Sequence, residues 1–158
     1  MLTGRLYFRF PIRRRAPRRR PSQLVAWTEG RALIGTGSPF PPVTWNGRTV
    51  AIDQTNNSYI FPGVGLGVLA SGARRINDAM FMVAAKVLAA RSPTTKDKNG
   101  RLLPPVTELR RVSAAVAVAV ARQAQADGLA PKCDENTLAE RIRTRVWEPQ
   151  YRPYRRAM

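Results

Sequence analysis

Three stretches of the sequence carry residue types that could hold a small molecule. Gly65-Leu-Gly67-Val-Leu-Ala70 has the GxGxxA spacing that lets a backbone approach a dinucleotide pyrophosphate when it follows a strand and opens a helix. Asn56-Asn57 places two adjacent carboxamides, each both donor and acceptor, in a Gln/Thr/Asn-rich turn just before an apolar helix. Gly35 to Pro42, GTGSPFPP, is a loop that can bring backbone N–H groups close to a ligand. Around these the chemistry is thin. The chain has no histidine and one cysteine, Cys133, read as a solvated thiol. That excludes imidazole catalysis, a His-ligated metal and an internal disulfide within this chain. There is no CxxC, no Walker loop and no carboxylate pair in a pocket-like context.

Each stretch has a plainer reading. A dinucleotide fingerprint needs a strand before it and an acid ~20 residues after it. Here Pro62 stands where the strand should end, and Asp78 comes too early. A packing role for Gly65 and Gly67, letting their helix approach a neighbour, is the better reading. For Asn56 and Asn57 the competing role is an Asx turn or a helix cap.

Local patterning supplies the elements that must position these residues. Ser22 to Thr28 reads as a short helix closed by Gly30, and Ala32 to Gly35 as a short strand. Asn46-Gly47 between the β-rich arms of Val43 to Val50 predicts a hairpin. A helix from Asn77 to Ala90, capped by Asn77 or Asp78, sets Met80, Phe81, Ala84 and Leu88 on one side. Ser92 to Pro105 is a turn-rich connector. A long helix from Thr107 to Asp127 has Leu109, Val112, Val116 and Val120 on one face and Gly128 as its stop. A last helix from Glu135 to Trp147 carries Leu138, Ile142 and Val146, and Pro149 ends it. The predicted class is α/β, mostly helical, with one short strand and a small hairpin. That is too little sheet for an independent parallel α/β domain, and it reads as the closing part of a larger one.

The charge has its own pattern. The formal net charge is +17, from 27 Lys and Arg against 10 Asp and Glu over 158 residues. Eight arginines and no acid lie in residues 1–20, so removing eight from +17 leaves +9 on the rest. Such a head suggests phosphate-rich partners, because each cation that meets a phosphate can release a counterion. A basic nucleic-acid-binding protein is therefore the alternative reading. Pro11 and Pro17 interrupt any amphipathic transit helix, no apolar segment follows the charges as in a secretory leader, and no apolar run reaches the ~18 residues of a membrane span. The expectation is a cytoplasmic protein with no membrane partner.

Taken in order, the motifs resemble the C-terminal part of the malic enzymes. WTEGRALIGTGSPFPPVTWNGRTVAIDQTNNSYIFPGVGLGVLASGARRINDAMFMVAAKVLA, from Trp27 to Ala89, carries the resemblance, and LLPP at 102–105 and VWEPQYRPY at 146–154 continue it. It covers residues 21–154, and it implies an incomplete Rossmann-like NAD(P)-binding domain. By resemblance the lineage oxidatively decarboxylates malate to pyruvate and CO₂ with NAD or NADP and a divalent metal, Mg or Mn, as a homo-oligomer. The resemblance gives Asn56, and with it Asn57, a substrate-binding role, and makes Gly35, Gly37 and Ser38 neighbours of the nicotinamide end. It also places the family's catalytic tyrosine and lysine, its metal ligands and its true phosphate-binding glycines ahead of the matched region. No catalytic and no metal-binding residue is therefore expected in this chain, which should be inactive alone.

The resemblance also gives the arginine head a reading. Malic enzymes carry a segment like IFSLSNPTSRAEA just before the region matched here. Suitable codons for it, read in a shifted frame, run CGC TTT CCA ATC CGA CGT CGC GCG CCG AGG. That string encodes Arg9-Phe10-Pro11-Ile12-Arg13-Arg14-Arg15-Ala16-Pro17-Arg18. Residues 1–20 are thus expected to be a disordered, out-of-frame head, with residues 21–158 the C-terminal part of the NAD-binding domain. The arginines are then a by-product of GC-rich codons with no selected function, and nucleic acid is not an expected partner.

Overall fold

A computed structural model describes residues 20–97, 100–148 and 151 of the chain, and the backbone of residues 7–9. The rest of the basic head, and residues 149–150 and 152–154 of the C-terminal motif, lie outside the described residues.

Three short strands run parallel in the order β1 (Tyr7–Arg9), β2 (Leu33–Thr36), β5 (Ile52–Gln54). The sequence predicts only the middle one. β1 falls in the head expected to be disordered, yet its backbone pairs with β2 from Tyr7↔Leu33 to Arg9↔Gly35. Strand pairing draws on backbone N–H and C=O groups, so it does not require apolar side chains. β5 pairs with the other side of β2, and its Asp53 breaks the apolar run that would have announced it. The hairpin β3 (Val43–Trp45) and β4 (Arg48–Val50) connects the two, turning at Asn46 and Gly47 with φ of 47° and 74° as a type I′ turn requires. Helix α1 (Pro21–Trp27) covers this sheet. Leu24 and Val25 bury against Ile34, Val50 and Ile52.

The helical part is built on α2 (Phe61–Ser71), α3 (Asp78–Ala90), α4 (Leu109–Ala126) and α5 (Glu135–Arg145). Caps mark their ends. Asn77 Oδ1 accepts from Met80 N at 3.1 Å, Asp134 Oδ1 accepts from Thr137 N at 2.9 Å, and Gly72 closes α2 in the left-handed region. One core joins Val64, Met80, Ala84, Val112, Val116 and Val120, and a second joins Ala70, Ala117, Ala121, Leu138 and Ile142. Central helix α4 belongs to both. Of the expected stripe on α3, Met80 and Ala84 are buried but Phe81 is exposed, because α4 covers a face too narrow to include it. Cys133, expected as solvated, is half-buried and accepts from Gln125 Nε2 at 3.1 Å.

The GxGxxA stretch lies in the middle of α2 instead of at a strand-to-helix turn. Gly67 packs on α4, as the packing reading requires, but its partner in that role is Gly63 rather than Gly65. A Cβ on Gly63 would stand 2.6 Å from Val116 Cβ, while a Cβ on Gly65 would meet nothing within 4 Å. Four residues make slightly more than one helical turn, so 63 and 67 share a face and 65 points away.

Candidate functional site

β2 and β5 are adjacent and parallel, with Gly35 opposite Asp53 and Thr36 opposite Gln54. The loops that follow them therefore leave the same edge of the sheet. Thr55 N donates to Thr36 O at 2.7 Å, tying the second loop to the end of β2, and Thr36 Oγ1 donates to Ser38 O at 2.7 Å within the first. In open parallel α/β sheets, ligands bind outside the carboxyl ends of the strands. Gly37 is half-buried there and Ser38, Asn56 and Asn57 are exposed. Gly35 is buried, and its missing side chain has a local reason: a Cβ would stand 2.6 Å from Thr55 Cγ2.

Of the Asn pair, Asn56 has a structural role. Asn56 caps a short 3₁₀ turn, Asn57–Tyr59, its Oδ1 accepting from Ser58 N at 2.9 Å and from Ser58 Oγ. The cap that competes with a binding role is thus observed. It occupies the carbonyl end of the Asn56 amide, so a ligand would meet the Nδ2 donors.

Beneath this edge lies a cluster that sequence reading missed. The Asp53 carboxylate, only 6% exposed, accepts from Leu102 N and lies 3.9 Å from Arg101 Nε. Tyr59, also buried, donates its hydroxyl to Pro104 O at 2.7 Å. Burial first, and the nearby Asp53 charge second, push the Tyr59 phenol above its ordinary pKa, with Arg101 opposing them. Together these side chains fasten the connector after α3 to the end of β5. The one available signal was Asp53 itself, a carboxylate directly after the apolar Val50-Ala51-Ile52.

Among the described residues, no three His, Cys, Asp or Glu side chains gather as metal ligands. The described donor set does not fit Mg or Mn. No described helix is long and apolar enough to cross a membrane.

The sequence model of one family, described as malic enzyme, NAD binding domain, matches residues 16–125. The chain belongs to the malic enzymes. Curated relatives agree: the NAD-dependent malic enzyme of Pseudomonas syringae pv. syringae is 54% identical over 136 residues, covering 86% of the chain. That of Proteus mirabilis is 50% identical over 137 residues, covering 87%. The chain spans 24% of the length of each. Among solved structures, the malic enzyme of Pyrococcus horikoshii superposes with a TM-score of 0.59 at 27% identity, over 83% of this chain and 27% of its own. The Entamoeba histolytica malic enzyme gives 0.59 at 25% identity, over 87% of this chain. These matches bear out the α/β, partial Rossmann-like class and an oxidoreductase family. α5 lies past the family model but packs through Leu138 and Ile142 into the same core, so the malic enzyme unit here includes it.

Proposed function

We propose that this chain is the C-terminal part of the NAD-binding domain of an NAD-dependent malic enzyme. The reaction is oxidation of malate to pyruvate and CO₂, with NAD accepting the hydride when bound. The observation that carries the reading is the shared edge, where the loop after β2 and the Asn turn after β5 emerge side by side. Asn56 and Asn57 present amide donors to the carboxylate or hydroxyl oxygens of malate. Gly35, Gly37 and Ser38 form the wall beside the nicotinamide end. The names of the relatives favour NAD over NADP.

The chain supplies orientation and no proton transfer, since the described edge offers amides, glycines and a hydroxyl but no exposed acid or base. By itself it should therefore not turn over malate. The test is NADH formation by the purified chain with malate, NAD and Mg or Mn. None is expected, and malate-dependent NADH formation would overturn the reading. In the Pseudomonas syringae relative, replacing the residue aligned with Asn56 by Ala should raise the KM for malate about tenfold or more, the scale of one lost hydrogen bond to a charged group, while leaving that for NAD nearly unchanged. An unchanged malate KM would remove Asn56 from the site. Residues 1–20 enter the proposal as an out-of-frame head without a selected role.

A further inference from the structure

A cavity of about 470 Å³ opens between the first turns of α2 and α4 and the end of α5. Its walls are apolar: Pro62 and Leu66 from α2, Leu109 from α4, and Trp147 just past α5. A volume in the range of roughly 300–1,000 Å³ suits a small organic ligand. Arg110 and Arg145 line the same cavity, and among the described residues no carboxylate does.

Other arginines of the described residues meet acids: Arg111 with Glu108, Arg122 with Glu135, Arg143 with Glu140. Arg110 instead donates to the Trp147 carbonyl at 3.1 Å, and Arg145 to the Arg141 carbonyl at 3.3 Å. A neutral carbonyl leaves the positive charge uncompensated, and each guanidinium keeps further N–H donors for an anion. Both arginines are exposed, so water screens a pairing made there and the apolar walls must supply the rest of the affinity. A purely apolar guest would leave both charges facing it unpaired. A bare inorganic anion would leave Leu66 and Trp147 in water.

We infer that this cavity binds a small carboxylate with an apolar body. The carboxylate lies between Arg110 and Arg145, and the body lies against Leu66 and Trp147. Ser58 also lines the cavity, but Asn56, Asn57, Gly35, Gly37 and Ser38 do not, so the site stands independently of the malate-facing edge.

The experiment titrates the whole chain with 3-phenylpropionate by calorimetry, beside 3-phenylpropionamide and acetate. Saturable binding of 3-phenylpropionate is expected, with the amide about tenfold weaker or more, the factor one charge-assisted hydrogen bond commands, and acetate about tenfold weaker or more for want of the apolar body. Arg145→Gln should weaken the carboxylate by a similar factor while leaving the thermal unfolding midpoint in place, since Arg145 is exposed. Equal binding of the amide would reduce the site to an apolar cleft, and equal binding of acetate would reduce it to a surface anion site. Either result, an unaffected Arg145→Gln chain, or no saturable binding overturns the inference.

Discussion

Gly67 of α2 stands directly against the backbone of Ala117 in α4: a Cβ built on it would lie 2.6 Å from the Ala117 carbonyl oxygen and 2.9 Å from Val120 Cβ. The two helices make their closest approach through glycine because no side chain fits between them. Backbone cannot give way as the end of a flexible side chain can.

Gly67→Ala is therefore expected to destabilise the chain by about 1–3 kcal/mol, the usual cost of overpacking, although Ala is the better helix former. Gly65→Ala, two residues away with open space around its Cβ, should stabilise by up to about 1 kcal/mol. Urea unfolding of both variants checks the pair. If Gly67→Ala were as benign as Gly65→Ala, the close approach of α2 to α4 would be wrong.

The Tyr59 phenol carries a pH dependence of known sign. Its folded pKa is raised by burial and by Asp53, so the folded state favours the neutral form. Its contribution to stability is present below the unfolded value of about 10 and is lost as pH rises through the folded pKa. Thermal melts across that alkaline window should show a decline that Tyr59→Phe reduces. At neutral pH the same variant should lose about 1 kcal/mol, from the hydroxyl's hydrogen bond to Pro104 O. An identical alkaline slope in both chains would count against the assigned cause.

Much of the fold could be read from the chain because its signals are local. The Val112, Val116 and Val120 stripe, the Asn77 cap and the Asn46-Gly47 turn each act within a few residues, and each sits where patterning puts it. What escaped is held by distant partners. β5 is three residues long and takes its register from β2, reached only through the intervening hairpin. Asp53 meets Leu102 N and Arg101, nearly fifty positions along the chain, with nothing in its own neighbourhood to announce them. Of the site, the amide pair was legible as chemistry. The reason Gly35 must be glycine was not, since Thr55 imposes it from the next strand's loop.

Asp53 should behave as the pin of the connector. Asp53→Ala leaves the Leu102 N–H without its acceptor and is expected to cost about 1–3 kcal/mol. Asp53→Asn keeps an acceptor oxygen and gives up only the attraction to the half-exposed Arg101 at 3.9 Å, so its loss should stay below about 1 kcal/mol. Amide hydrogen exchange at Leu102 separates the cases: fast in the Ala variant, protected in the Asn variant. Equal protection in both would show that Ser92, whose hydroxyl donates to Leu102 O at 2.6 Å, holds the connector without help.

The arginine head gives the last prediction, and it can be decided without the protein. Residues 9–18 are what suitable codons for an LSNPTSRAE segment give in a shifted frame. Resequencing the genomic DNA across codon 20 should show that a single-base correction converts this stretch into that segment and joins it in frame to Pro21. Such a result would remove the eight arginines from any functional account. If the frame stands as written and the shifted reading yields no such segment, the head is genuine coding sequence. The basic alternative would then regain its standing, and it predicts nucleic-acid binding that falls steeply with salt and disappears when residues 1–20 are removed.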